Sequence, residues 1–234
     1  MDRIIYYLAS LVAVILVFSP HEFAHAYVAY KNGDPTAKFN GRMTLNPLKH
    51  LDPAGFVLCA VAGFGWAKPV PINPSNFHNY KKGLFLTAVA GVIANYIVAF
   101  IAYLIYVLLL KAFSMMPLNT QFTLVIEDFI VTAFYLTFAY SLYSVVFNLL
   151  PLNPLDGFRV VEALSREVNP VQRFLRDYGQ MILILLIAES FICSIVAEYY
   201  APAQYFNILG YVGWFAREIL GYPIQAAWNW ILKL

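Results

Sequence analysis

His21-Glu22-Phe23-Ala24-His25 places two imidazoles and a carboxylate within five residues. On a helix, residues four apart share a face, about 40° around and roughly 6 Å along the axis. Both rings then reach one metal ion with Glu22 beside it. H-E-x-x-H on a helix reads as a zinc hydrolase site, the glutamate serving as general base. The run lies inside the chain's first strongly apolar segment. Two His and one Glu at membrane depth are costly to insert and need a reason.

Catalytic zinc sites use three protein ligands and keep the fourth position for water. The candidate for the third is Asp156, which follows Pro151 and Pro154 and precedes Gly157. The prolines prevent a regular helix there, so the chain can turn a carboxylate inward, and the glycine permits a tight backbone path. Taken alone, Asp156-Gly157 reads more readily as a turn or a helix cap. The two histidines alone also read as packing groups that hydrogen-bond across a bundle.

The elements that must position these residues are membrane helices. Of 234 residues, 61% are hydrophobic and 12% charged, against about 25% charged in an average soluble domain. Mean hydropathy is +0.66. Several apolar runs approach the ~20 residues that span a bilayer. The net charge of +2 and the absence of basic-aromatic interleaving exclude a nucleic-acid partner. Cys59 and Cys193 give neither a disulfide framework nor a zinc pair. No cleavable leader is read at the N-terminus.

A first span is expected from about Ile4 to Tyr30, stopped by Asn32-Gly33-Asp34-Pro35. Pro20 should kink it or free a carbonyl near the site. Residues 31–82 are rich in Gly, Pro and Asn, and the alternation over Lys38–Leu45 predicts short strands or a hairpin lying against the membrane domain. Within them Ala54–Trp66 reads as a re-entrant or interfacial element. Further spans are expected at Leu84–Leu110, Phe129–Leu152 and Met181–Val196, with a polar connector from Phe158 to Gln180. Tyr205–Leu220 is left open as a fifth, and Ala226–Leu234 reads as an amphipathic surface helix. The fold class is thus an all-α polytopic membrane protein with a small membrane-associated β region. It is parsed as one domain over 1–234, with a catalytic core at about 4–165 and peripheral helices at 180–234. Lys and Arg concentrate in 31–82 and 153–180, which places both segments, and the metal motif, on the cytoplasmic side.

The two motifs together resemble the site-2 protease family of intramembrane zinc metalloproteases. His21-Glu22-x-x-His25 resembles its first motif and Asn148-x-x-Pro151-x-x-Pro154-Leu155-Asp156-Gly157 its second, while Gly41–Pro47 and Lys68-Pro69-Val70-Pro71 resemble its compact bacterial and archaeal members, without a PDZ domain. The resemblance implies a three-helix catalytic core and one Zn2+ per chain, held by His21, His25 and Asp156 with Glu22 as base. It also implies that Asn95 and Asn148 are polar groups near the substrate or oxyanion. The implied partners are a transmembrane protein substrate and the lipid bilayer of a plasma or inner membrane. A homo-oligomer is left open. Val92 stands where that family often has proline, and Asn153 where proline is frequent. The competing class is a non-catalytic membrane module that binds zinc or presents membrane segments without cutting them. A transporter would spread polar residues along a path through several spans; here they are confined to one side.

Overall fold

The structure, a computed structural model, describes residues 3–56, 66–116, 120–167 and 169–232. Long apolar runs form four helices: α1 (Arg3–Lys31), α3 (Tyr80–Ser114), α4 (Gln121–Asn148) and α6 (Pro170–Ala197). Each is long and apolar enough to cross a membrane, exceeding the ~30 Å hydrocarbon core at ~1.5 Å per residue. Shorter helices lie between them, α2 (Thr36–Phe39) and α5 (Asp156–Leu164), or follow the last, α7 (Ile208–Phe215) and α8 (Tyr222–Leu232), with a π-turn at Ala216–Gly221 leading directly from α7 into α8.

Polar side chains start these helices where the backbone leaves N–H groups unpaired. The side chains of Asn79, Thr120 and Asn169 each accept from a backbone N–H in the first turn of α3, α4 and α6. α1 runs through Pro20 as a continuous helix and ends at Lys31, and Gly33, at φ 110°, turns the chain away just beyond it.

α1, α3 and α4 each pack against the other two. Small residues let them approach: Ala9 and Ala13 of α1 meet Ala133 and Leu136 of α4, and Ala99 and Ala102 of α3 meet Phe138 and Leu142. α6 stands apart. Its long apolar side chains, Met181, Ile184, Leu185, Phe191 and Ile192 among them, face outward, as lipid requires. It touches the core at Gly179, where a Cβ would fall 2.6 Å from the backbone nitrogen of Asn153.

The hairpin expected over Lys38–Leu45 is replaced by helix and turn. α2 closes with Arg42 N–H on the Ala37 carbonyl and Gly41 N–H on the Lys38 carbonyl, Gly41 standing at φ 64°. That is a Schellman cap, so Asn40-Gly41 ends a helical turn instead of joining two strands. Among the described residues no strand forms, and an isolated antiparallel bridge joins Leu51 to Ala67. Most of the Ala54–Trp66 element, residues 57–65, lies outside the described residues. The polar connector is shorter than expected, because α6 begins at Pro170, eleven residues before the Met181 expected to open the fourth span.

Candidate active site

His21 and His25 lie one turn apart on the buried face of α1. Their Nε2 atoms are 3.0 Å apart. Asp156, the first residue of α5, reaches them from a loop that reverses the chain after α4. Gly157 makes that reversal fit, since a Cβ there would meet the Leu149 carbonyl oxygen at 2.3 Å. Asp156 Oδ2 stands 3.1 Å from His25 Nε2 and 3.4 Å from His21 Nε2. All three side chains are buried, at 4–7% exposure.

This triangle has the dimensions of a metal site. Donors ~2.0–2.1 Å from a tetrahedral zinc lie roughly 3.3 Å from one another. Oδ2 of Asp156, although close to both rings, takes no well-aligned hydrogen bond from either. The three donor atoms converge on a common point, and the donor set is the His/carboxylate type that zinc accepts.

α3 braces both rings from behind. The Thr87 carbonyl lies 2.7 Å from His25 Nδ1, and the Asn95 side-chain amide 3.1 Å from His21 Nδ1. Between them Gly91 presents bare backbone: a Cβ would sit 2.4 Å from His25 Nε2 and 2.5 Å from His21 Cε1. Thr87, Gly91 and Asn95 follow at intervals of four, one face of one helix.

Glu22 points into the same cavity as the ligand set, a space of about 560 Å³ bounded by α1, α4, the 66–72 segment and the α6 residues Gln180 and Leu183. Val70 N–H donates to Glu22 Oε2 at 2.8 Å. The Val70 segment is clamped in turn, because Arg42 donates to the carbonyls of Lys68 (2.6 Å) and Pro69 (3.3 Å). Asp34 ties down its far end by accepting from Asn73 N–H and the Asn76 amide.

Of the residues singled out in the sequence, His21, Glu22, His25, Asn148 and Asp156 share this cavity. Asn95 does not line it; it is fully buried behind His21. Asn148 lines it, but its side-chain N–H groups are taken by the Ser144 carbonyl and hydroxyl, at 3.0 and 2.9 Å. Thr87, Gly91 and Val70 escape a reading by residue type, because two of them contribute backbone atoms and the third a missing side chain.

A histidine–histidine–aspartate set sunk among membrane-length helices, with a glutamate in the same cavity, is the arrangement of a membrane-embedded metalloprotease. The chain belongs to peptidase family M50, whose model matches residues 8–188. It is 46% identical over 192 residues to YwhC of Bacillus subtilis, the match covering 80% of this chain and 85% of that protein. It is 28% identical over 176 residues to Rip2 of Mycolicibacterium smegmatis, over 71% of this chain and 61% of that protein. Both relatives carry the name "Putative zinc metalloprotease". No solved structure gives a significant match.

Proposed function

We propose that this protein is an intramembrane zinc metalloendopeptidase of the site-2 protease type, hydrolysing peptide bonds within or near transmembrane segments of other membrane proteins in regulated proteolysis. The observation that carries the reading is the convergence of His21, His25 and Asp156 on one point beside the Glu22 carboxylate. His21, His25 and Asp156 would hold the zinc ion, which supplies a Lewis acid and makes a nucleophile of water near neutral pH. The domain is read as the whole chain, 1–234, with its catalytic core at about 4–165. It sits in the plasma or inner membrane with the site toward the cytoplasm.

Each residue then has a task. Glu22 has one oxygen, Oε2, fixed by Val70 N–H; Oε1 is left to take the proton of the attacking water and return it to the leaving amine. Asn148, with both N–H groups taken, offers Oδ1 to a substrate N–H, and reaches an oxyanion as donor only by turning away from Ser144. The substrate helix must unwind locally, because its backbone is already hydrogen-bonded. Among the described residues the Val70 carbonyl and the Ile72 N–H have no partner, and this short backbone edge suits an extended segment.

The test is cleavage of single-span substrates by the purified, reconstituted protein. Glu22→Gln is expected to lower the rate roughly 100- to 10,000-fold while zinc content stays at the wild-type level. Equal rates for wild type and Glu22→Gln overturn the base assignment. A non-catalytic module would bind the same segments with no dependence on Glu22.

A further inference from the structure

We propose that Asn95 is a positioning residue of the metal centre. Its side-chain carbonyl oxygen accepts the Nδ1–H of His21 and so fixes the ring tautomer that leaves Nε2 free for a divalent metal ion. The inference deepens the proposed function and rests on His21 being a ligand.

The two ligand imidazoles differ in what stands behind them. His25 Nδ1 faces the Thr87 backbone carbonyl at 2.7 Å. A carbonyl accepts and never donates, so the His25 Nδ1 carries the proton and Nε2 keeps its lone pair. His21 Nδ1 faces a side-chain amide, that of Asn95, at 3.1 Å. The two ends of an amide have the same shape and opposite hydrogen-bonding character, and their assignment follows from the partners.

The partners point one way once His21 holds a metal through Nε2, because its Nδ1 must then carry the proton. Placing the amide N–H toward that nitrogen would set donor against donor. The same end of the amide lies 2.8 Å from Ser144 Oγ. That hydroxyl already accepts from the Asn148 amide at 2.9 Å, which leaves its own proton to give. His21 and Ser144 thus both present protons to one position, and a carbonyl oxygen with two lone pairs accepts both.

No donor at the other end of the amide holds the oxygen in place there. The Asn95 Oδ1, as placed with the N–H toward His21, is buried without a partner. The orientation is therefore set from the His21 side, and binding of the metal selects the carbonyl-inward state. Asn148, on the cavity wall, joins the same network through Ser144. The outer partners of metal-ligating histidines commonly contribute 10- to 100-fold to affinity. Asn95 fills that place for His21 as the Thr87 carbonyl does for His25.

The experiment measures zinc affinity of the full-length protein in detergent, by competition with a chromophoric chelator, for wild type, Asn95→Asp and Asn95→Leu. The metal-free melting of each is recorded alongside. Asn95→Asp keeps an acceptor and removes the donors; Asn95→Leu keeps the approximate volume and removes both. Asn95→Asp is expected within about threefold of wild type or tighter, and Asn95→Leu about 10- to 100-fold weaker. A role in packing alone would lower the melting temperature and leave affinity unmoved. Asn95→Leu binding zinc as tightly as wild type overturns the proposal. Should Asn95→Leu fail to fold, the Asn95→Asp comparison decides: a loss of tenfold or more means that the amide must donate, and overturns it equally. Wild type that takes up no zinc overturns the ligand assignment itself, an outcome distinct from a wild type that binds and variants that do not differ.

Discussion

Val70 donates its backbone N–H to Glu22 Oε2 at 2.8 Å, from 48 residues further along the chain. The contact joins the 66–72 segment to the helix that carries the histidines, and it fixes which oxygen of Glu22 is free. Pro69 and Pro71 flank Val70 and have no N–H to offer. Within this triplet one donor is available, and it is aimed at the proposed base.

Val70→Pro removes that donor and keeps an apolar residue in place. Hydrogen bonds to charged groups contribute about 1.5–3 kcal/mol, so cleavage of a reconstituted single-span substrate is expected to fall by about 10- to 100-fold. Zinc content should stay unchanged, since no ligand is touched. Val70→Ala, which keeps the N–H, should retain most of the activity. If Val70→Pro matches Val70→Ala in rate, the contact does not orient Glu22.

Gly91→Ala tests the bare backbone behind the rings. The added methyl would fall 2.4 Å from His25 Nε2 and 2.5 Å from His21 Cε1, so both rings must move. Alanine is the better helix former by about 1 kcal/mol, so helix propensity gives no reason for a less stable α3. Zinc affinity is expected to drop at least tenfold with little loss of helicity by circular dichroism. Wild-type affinity in this variant would show that the rings rest elsewhere.

Much of the site was legible from local pattern. Two histidines at a spacing of four on an apolar helix must share a face, and Pro151, Pro154 and Gly157 announce a break where a carboxylate can turn inward. Their convergence needed the packing of α1, α3 and α4. Sequence could not show that Asn95 faces His21 instead of the cavity, because an apolar helix gives no polar stripe from which to read its orientation. The alternation over Lys38–Leu45 suggested short strands or a hairpin; Asn40-Gly41 instead closes α2, because the preceding residues are already helical. The backbone contributions of Thr87 and Val70 carry no residue-type signature.

Asp34 gives a pH dependence outside the metal site. It is buried beside the end of α1, and burial alone would raise its carboxyl. Hydrogen bonds from Thr36, Asn76 and Asn73 outweigh that and hold it below its ordinary value. A carboxyl with a depressed folded value stabilises fully above its unfolded value, near pH 4, and loses that contribution as pH falls through the folded one. Amide protection in residues 66–78, each rate referred to its intrinsic value at the same pH, is therefore expected to hold down to about pH 4 and to fall below it. Asp34→Asn should exchange faster at neutral pH and show a weaker acid dependence. Identical profiles for the two proteins would show that Asp34 does not anchor the segment.

The most direct test of the metal site is elemental analysis of the detergent-purified protein, wild type against Asp156→Ala. Wild type is expected to hold about one zinc per chain, and Asp156→Ala close to none, since two imidazoles alone make a poor site. A full complement of zinc in Asp156→Ala would contradict the assignment of Asp156 as the third ligand.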